Sequence, residues 1–181
     1  VIGSLLVFLL FVQGGQTLIF TLAHTENEKT LLINSLGRKW ELGFTTLVLF
    51  GGALFAAFPL FYAVSFGGAY YFWMLVLFSF VVQAVAYEYR TKPNNFLGAK
   101  TYEVFLLLNG VFGATLLGGA VATFFSGSSF IVDDYRVSTW LSPWRGLEAL
   151  ASPFNLSLGL TVFFLSRMLG GLYFINNVDH E

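Results

Sequence analysis

Five long apolar stretches dominate this sequence and constrain its fold more than any other feature. Each is about 20 residues or longer, the length that an α-helix needs to cross the hydrocarbon core of a bilayer. Helix is the expected conformation, because an isolated strand would leave its backbone groups unpaired in lipid. The stretches are Val1–Ala23, Leu42–Gly67, Gly68–Tyr87, Tyr102–Phe125 and Leu156–Val178. The sequence therefore predicts an all-α, polytopic membrane protein.

Composition excludes several other classes of protein. Of the 181 residues, 56% are hydrophobic and only 10% are charged, which is too apolar for a soluble domain whose surface must face water. No basic stripe indicates nucleic-acid binding. The chain has no cysteine, so disulfides, thiolate metal sites and iron–sulfur clusters are excluded.

The distribution of lysine and arginine predicts the orientation in the membrane. Six basic residues fall in the loops that follow the first and third stretches, whereas the turn between the second and third has none. The basic residues of these two loops are Lys29, Arg38, Lys39, Arg90, Lys92 and Lys100. The longer segment 126–155 carries only Arg136 and Arg145. Because cytoplasmic loops are enriched in basic residues, loops 24–41 and 88–101 are predicted to be cytoplasmic.

A weak internal similarity indicates how the chain is organised. Leu5–Ile19 aligns without gaps with Thr161–Ile175, around a pair of glycines in each. If this reflects a duplication, residues 1–125 form a first four-helix transmembrane repeat and residues 156–181 form the first helix of a second repeat. The chain begins inside an apolar run without a methionine, so we expect a fragment of a longer polytopic protein.

Residues 126–155 then form an extracytoplasmic loop between the two repeats. Trp140, Leu141, Trp144 and Leu147 share one helical face, which predicts a short helix lying at the lipid surface. Ser152 and Pro153 are typical of the N-cap and first residue of the last span.

Small residues and one proline predict how the spans pack. Gly52 with Ala56 and Gly110 with Gly113 recur at helical spacing, which permits close helix contact. Pro59 is expected to kink the second span.

Haem ligation by this chain alone is not expected. Its two histidines are His24, at the end of the first span, and His180, beyond the fifth. Axial ligands to haem b are histidine or methionine within helices, and neither Met74 nor Met168 has a histidine nearby.

A metal cluster of His24, Glu26 and Glu28 is conceivable, but ordinary solvated loop charges explain these residues better. No metal site is therefore predicted.

Polar residues within the spans are the next candidates, because each is costly to insert into lipid. Arg167 either pairs with a partner or a functional group, or it snorkels to the membrane surface, and the sequence leaves both open. Gln13, Gln16 and Gln83 must find hydrogen bonds. Helix–helix contacts are the favoured interpretation of these glutamines, ahead of a proton or quinone path.

The densest polar groups lie at the predicted cytoplasmic ends of the spans. Arg38-Lys39-Trp40-Glu41 precedes the second span, and Tyr87-Glu88-Tyr89-Arg90 ends the third. A carboxylate among aromatic and basic groups at a membrane edge can relay protons. Such groups also anchor helices, and the residues alone do not decide between these roles.

Several of these segments together resemble a known family. Ile33-Asn34-Ser35, Trp40-Glu41 and Gly51–Pro59 follow one another at a spacing that matches the second subunit of cytochrome bd oxidases without gaps. Tyr87–Lys92 is similar to the exit of that family's third helix, and Val132–Tyr135 also has a counterpart there. The resemblance covers most of the chain.

The resemblance implies a function. Complexes of this family oxidise quinol and reduce dioxygen in the bacterial cytoplasmic (inner) membrane, with haems b and d in the first subunit. The second subunit is haem-free, packs against the first, and helps shape proton and oxygen access. The proton-path role of the acid after the tryptophan falls on Glu41, beside Trp40, with Glu88 nearby. A bound quinone is possible. The alternatives are half of a secondary transporter and a purely structural scaffold.

The sequence departs from the family pattern in the membrane. Gln13 and Gln16 stand where members often carry two acids, and Gln83 replaces an arginine. Because the two acids and the arginine are replaced together, no buried charge is left without a countercharge. A tryptophan associated with oxygen access in the family is here Thr46, so that route is expected to be wider or relocated.

Overall fold

The computed structural model describes residues 1–135 and 137–179, and helices dominate this part of the chain. The α-helices are α1 (Ile2–Leu9), α2 (Phe11–Leu22), α3 (Glu26–Gly37), α4 (Trp40–Ala57), α5 (Pro59–Tyr62), α6 (Tyr70–Tyr89), α7 (Ala99–Ser126) and α8 (Pro153–Asn177). Five helical segments are long and apolar enough to cross a membrane. The prediction of an all-α, multi-pass membrane protein is confirmed.

Local sequence explains where several helices begin. Thr25 and Glu28 form a capping box, in which each side chain accepts a hydrogen bond from the other residue's backbone N–H, and α3 starts there. Much of the predicted cytoplasmic loop 24–41 is thus helical. Ser152 is the N-cap and Pro153 the first residue of α8, as predicted.

The second span is broken at Pro59 rather than merely kinked. Helix α4 ends at Ala57, and Phe58 has the extended φ of −137° that a residue before proline favours. Proline lacks a backbone N–H and cannot continue the hydrogen-bond ladder. The short α5 follows, and a π-helix over Ala63–Gly68 then leads into α6.

The segment between α7 and α8 differs from its prediction. Strands β1 (Phe130–Val132) and β2 (Ser138–Trp140) form an antiparallel hairpin, and a 3₁₀ helix covers Leu147–Ala151. The predicted surface helix through Trp140 and Leu147 is wrong. Pro143 interrupts that stretch, and Arg145 and Gly146 have positive φ angles of 38° and 96°, which no α-helix accommodates.

Helix α2 lies at the centre of the bundle, between α6, α7 and α8. Residues Phe11 to Thr17 are all buried, an uninterrupted run that a membrane helix shows only when protein surrounds it. Helix α4 lies at the periphery: none of its apolar side chains is fully buried, and Leu42, Val48, Leu49 and Phe55 are exposed.

Glycines set the closest helix crossings. A Cβ at Gly14 would collide with the Ser166 carbonyl oxygen, and one at Gly170 would collide with the backbone of Gly15. The two glycine pairs that suggested a duplication therefore pack against each other. Gly110 packs closely against Gln13 and Thr17, as small-residue packing predicts, whereas a Cβ at Gly52 would meet no atom of another helix within 4 Å in the described chain.

Candidate functional site

A polar cleft of about 420 Å³ lies where α3, the start of α4 and the end of α6 meet. Trp40 and Glu41 reach it from the first turn of α4, and Glu88 reaches it from the last turn of α6. The fold thus brings together the three residues that were predicted as proton-path candidates, although 47 positions separate Glu41 from Glu88 in the chain.

The wall of the cleft combines aromatic and charged groups. The rings of Trp40 and Tyr87 stack with centroids 6.0 Å apart and planes within 8° of parallel. The carboxylates of Glu41 and Glu88 are exposed, and Glu88 pairs with Lys92 at 2.8 Å. Hydrogen bonding to that carboxylate raises the pKa of Lys92 above its ordinary value. The cleft therefore offers two ionisable acids to water.

A buried ion pair lies beside this cleft, and one of its members, Arg90, lines the cleft. Arg90 donates from Nε and Nη2 to Oε1 of Glu103, at 3.1 and 2.7 Å, so α6 is joined to α7. Arg90 is 7% exposed and Glu103 is 2% exposed. Thr30 accepts two longer bonds from Arg90 at 3.4 Å, and Lys29 Nζ lies 3.7 Å from Oε2 of Glu103.

Arg90 was predicted as an interface or structural group, and its partner lies inside this chain. Glu103 was not among the residues predicted from the sequence. Its position in the sequence could have identified it, because an acid near the start of an apolar helix must find a countercharge.

Amide side chains connect the helices deeper in the bundle. Gln13 Nε2 donates to Gln83 Oε1 at 3.0 Å, and it lies 3.5 Å from Asn109 Oδ1. Asn109 in turn donates to the backbone oxygen and the hydroxyl of Ser79, both at 3.0 Å. Helices α2, α6 and α7 are thus joined by neutral hydrogen bonds, the kind of contact expected for these glutamines.

Gln16 links this region to the cleft. Its Nε2 donates to the hydroxyl of Tyr87 at 3.0 Å, and the ring of Tyr87 lines the cleft. Gln16 Oε1 and Gln83 Nε2 are buried and have no hydrogen-bond partner among the described residues. Polar groups therefore extend inward from the cleft, and some of their bonding capacity is unused.

Two further candidates lie away from the cleft. Arg167 on α8 is half-buried, with its guanidinium 5.9 Å from the ring centroid of Phe163, and it forms no ion pair within residues 1–135 and 137–179. Thr46 on α4 is buried, and its hydroxyl donates to the Leu42 carbonyl of its own helix at 2.7 Å.

The residues of the possible metal cluster near α3 are joined by hydrogen bonds to the backbone. Glu28 accepts from the backbone N–H groups of His24 and Thr25, at 2.6 and 3.2 Å. Across the described part of the chain, no group of three or more His, Cys, Asp or Glu side chains could hold a metal ion. His180 lies outside the described residues.

The fold and these sites define a class: a polytopic helical membrane protein whose bundle is held by buried amides and an ion pair, with a polar cleft at one end. Within that class, residues 1–181 match the family described as cytochrome bd terminal oxidase subunit II, and the chain belongs to that family. The resemblance seen in the sequence is confirmed. The transporter alternative is not favoured.

Curated relatives agree with the family match. The chain is 30% identical over 163 residues to cytochrome bd-I ubiquinol oxidase subunit 2 of Escherichia coli (strain K12), covering 90% of this chain and 42% of that protein. It is 29% identical over 150 residues to a probable cytochrome oxidase subunit 2 of Haemophilus influenzae, covering 83% and 39%. The Bacillus subtilis cytochrome bd ubiquinol oxidase subunit 2 is 31% identical over 112 residues, covering 62% and 33%. The chain thus spans about two fifths of the first of these relatives.

Proposed function

We propose that this chain is part of the haem-free second subunit of a bd-type quinol oxidase, a terminal oxidase of the bacterial respiratory chain that oxidises quinol and reduces dioxygen. The match of the whole chain to the subunit II family carries this proposal. Residues 1–125 are then the first four-helix repeat, and residues 156–181 begin the second. The direct packing of Gly14 and Gly15 against Gly170 agrees with two related helices meeting at one crossing.

The haems b and d belong, in this proposal, to a partner subunit, and the quinol is oxidised in that complex. The described residues are consistent with this division, because His24 lies exposed beyond the end of α2, outside the bundle. Optical spectra test the assignment. Haem bands should accompany the full-length protein in the native complex and disappear when the partner is removed. Stoichiometric haem on the isolated subunit would contradict it.

The polar cleft is proposed as a proton-uptake site for the complex. Glu41 supplies a titratable group exposed to water at the edge of the membrane, with Trp40 and Glu88 beside it. Tyr87 and Gln16 continue the line of hydrogen-bonding groups inward. An exposed acid beside buried polar groups supports this proposal.

Substitution of Glu41 tests this site. Glu41→Gln keeps the shape of the side chain but cannot carry a proton, so quinol-driven oxygen uptake should slow while haem content stays normal. Glu26→Gln, which removes an exposed acid of α3 outside the cleft, is the matched control. Equal turnover in both variants and wild type would remove Glu41 from the path.

Thr46 is proposed to mark an oxygen-access route along α4. The adjacent Leu47 and Phe50 line an apolar cavity of about 140 Å³, which also touches Leu10 and Leu117. Dioxygen is small and apolar and dissolves well in such a space. Thr46→Trp restores bulk on this helix face and should raise the KM for oxygen with little effect on the KM for quinol. An unchanged KM for oxygen would refute the route.

The cytoplasmic placement of loops 24–41 and 88–101 is also proposed, in the inner membrane of a bacterium. Residues 1–181 contain no cysteine, so a single substitution adds one thiol to this segment, and its labelling is measured against the unsubstituted protein. Thr91→Cys should react with a membrane-impermeant thiol reagent only after cells are opened, and Ser142→Cys should react in intact cells. The reverse pattern would invert the topology.

Arg167 tests how the subunit meets its partner. It has no countercharge within the described chain, so interface pairing and snorkelling predict different results. Arg167→Leu should release the partner subunit on a native gel if the guanidinium pairs across the interface. An intact complex would instead assign Arg167 to snorkelling.

A further inference from the structure

A second polar cleft, here termed the α3–α8 cleft, has a volume of about 400 Å³ and lies between the ends of those two helices. Arg38 and Lys39, in the connection from α3 to α4, line it, as do Tyr173 and Asn177 of α8. Arg38 also lines the polar cleft that holds Glu41, so both clefts lie at the same end of the bundle. The proposed proton path does not involve α8 and leaves the α3–α8 cleft unexplained.

Hydrogen bonds fix the two sides of the α3–α8 cleft to each other. Ser35 Oγ donates to the hydroxyl of Tyr173 at 3.1 Å, and that hydroxyl donates to the backbone oxygen of Ser35 at 3.0 Å. Asn177 Nδ2 donates to the backbone oxygen of Tyr173 at 3.0 Å. Helix α3 is thereby joined to α8, and the cleft is a fixed feature of the bundle.

The basic groups of the α3–α8 cleft are accessible and have no countercharge. Arg38 and Lys39 are exposed, and within residues 1–135 and 137–179 neither side chain forms an ion pair or a hydrogen bond. By contrast, Lys92 at the same end of the bundle pairs with Glu88 at 2.8 Å. One acid, Asp179, also lines the cleft. Two cations therefore face one carboxylate, and the lining keeps a net positive charge.

Apolar side chains lie next to these charges. Leu31 of α3 and Val178, directly after α8, line the same cleft as Arg38 and Lys39. The cleft lies where the apolar helix α8 ends, which is the level of the membrane surface if α8 crosses the bilayer. A ligand in this position meets cations and hydrocarbon side by side.

We propose that the α3–α8 cleft binds the phosphate of an anionic phospholipid, with Leu31 and Val178 in contact with the start of an acyl chain. Basic pockets between membrane helices on the cytoplasmic side suit anionic headgroups, and this cleft includes loop 24–41, whose cytoplasmic placement is proposed above. The guanidinium of Arg38 matches the geometry of phosphate oxygens, and Lys39 adds a point charge. A free phosphate ion would gain nothing from the two apolar side chains, so the lipid is the better ligand.

Native mass spectrometry of the full-length complex tests the proposal. The complex is washed free of lipid in detergent and titrated with phosphatidylglycerol. A basic residue near an anionic lipid contributes about 1 kcal/mol, so Arg38→Gln and Lys39→Gln should each weaken the tightest binding about five-fold, and the double variant about 25-fold. Asp179→Asn removes the acid from the lining and should tighten binding.

Lys100→Gln is the matched control. Lys100 is exposed, belongs to the other loop with proposed cytoplasmic placement, does not line the α3–α8 cleft and forms no ion pair in the described part of the chain. It removes the same charge as Lys39→Gln and should bind phosphatidylglycerol as wild type does.

Three results would overturn the proposal. The control could weaken binding as much as Lys39→Gln, which would show a general effect of charge. Phosphatidylcholine, which carries no net charge, could bind as tightly as phosphatidylglycerol. Excess inorganic phosphate could displace the lipid, which would show a site for free anions. Binding is measured without turnover, so this site and the proposed oxidase function can fail independently.

Discussion

Removing Glu103 should destabilise this protein more than any other single charge substitution. Its carboxylate accepts two hydrogen bonds from Arg90, and both side chains lie within the bundle. Glu103→Leu would leave the guanidinium of Arg90 with only the two longer bonds to Thr30.

The expected magnitude follows from burial. Breaking a buried ion pair by removing one partner costs about 3–5 kcal/mol, because the remaining charge is desolvated and unpaired. Arg90→Met should cost less than Glu103→Leu, since Lys29 Nζ lies 3.7 Å from the Glu103 carboxylate and still faces it. The double variant removes both charges, so its cost should fall short of the sum of the single costs by about 2 kcal/mol.

Reversible unfolding in mixed micelles of increasing SDS content measures these free energies. Lys92→Met is the matched control, because it breaks an ion pair of similar length whose two side chains are 54% and 63% exposed. Exposed pairs contribute little, so no measurable change is expected there. The reasoning is refuted if Glu103→Leu unfolds like the Lys92 variant, or if the double variant costs the full sum of the two singles.

Three other substitutions test the packing of α2, and a fourth, on α4, is a control. Gly14→Leu should abolish folding, because its side chain would overlap the α8 backbone. The control Gly52→Leu should fold normally, because no atom of another helix lies in the way. Size-exclusion chromatography of the detergent-solubilised proteins compares the two. Gln13→Leu removes the donor to Gln83 and should lower the free energy of unfolding by about 1–3 kcal/mol, measured in the same SDS titration. Tyr87→Phe leaves the buried amide of Gln16 without its acceptor and should cost a similar amount, whereas an unchanged midpoint would show that water replaces the hydroxyl.

The sequence predicted the class, the apolar spans and a kink at Pro59, where the structure has a complete break, because each depends on local chemistry. A long apolar run identifies a membrane helix whatever its neighbours are, and proline interrupts a helix wherever it occurs. The family motifs likewise act as sequence signals and were confirmed. The surface helix failed for a local reason that was available, since Pro143 and Gly146 lie within the proposed stretch.

The pairing of polar groups was decided only by tertiary structure. Arg90 precedes Glu103 by 13 positions, and Gln13 and Gln83 are 70 positions apart, so no periodicity links them. Apolar helices in lipid have no hydrophobic preference for one neighbour over another. Close glycine crossings and buried hydrogen bonds therefore determine which helices pack together. The chain by itself determined that these helices enter the membrane. Close crossings, such as Gly14 against α8 and Gly110 against α2, helped determine which helices meet, and only helices that meet can pair their polar groups.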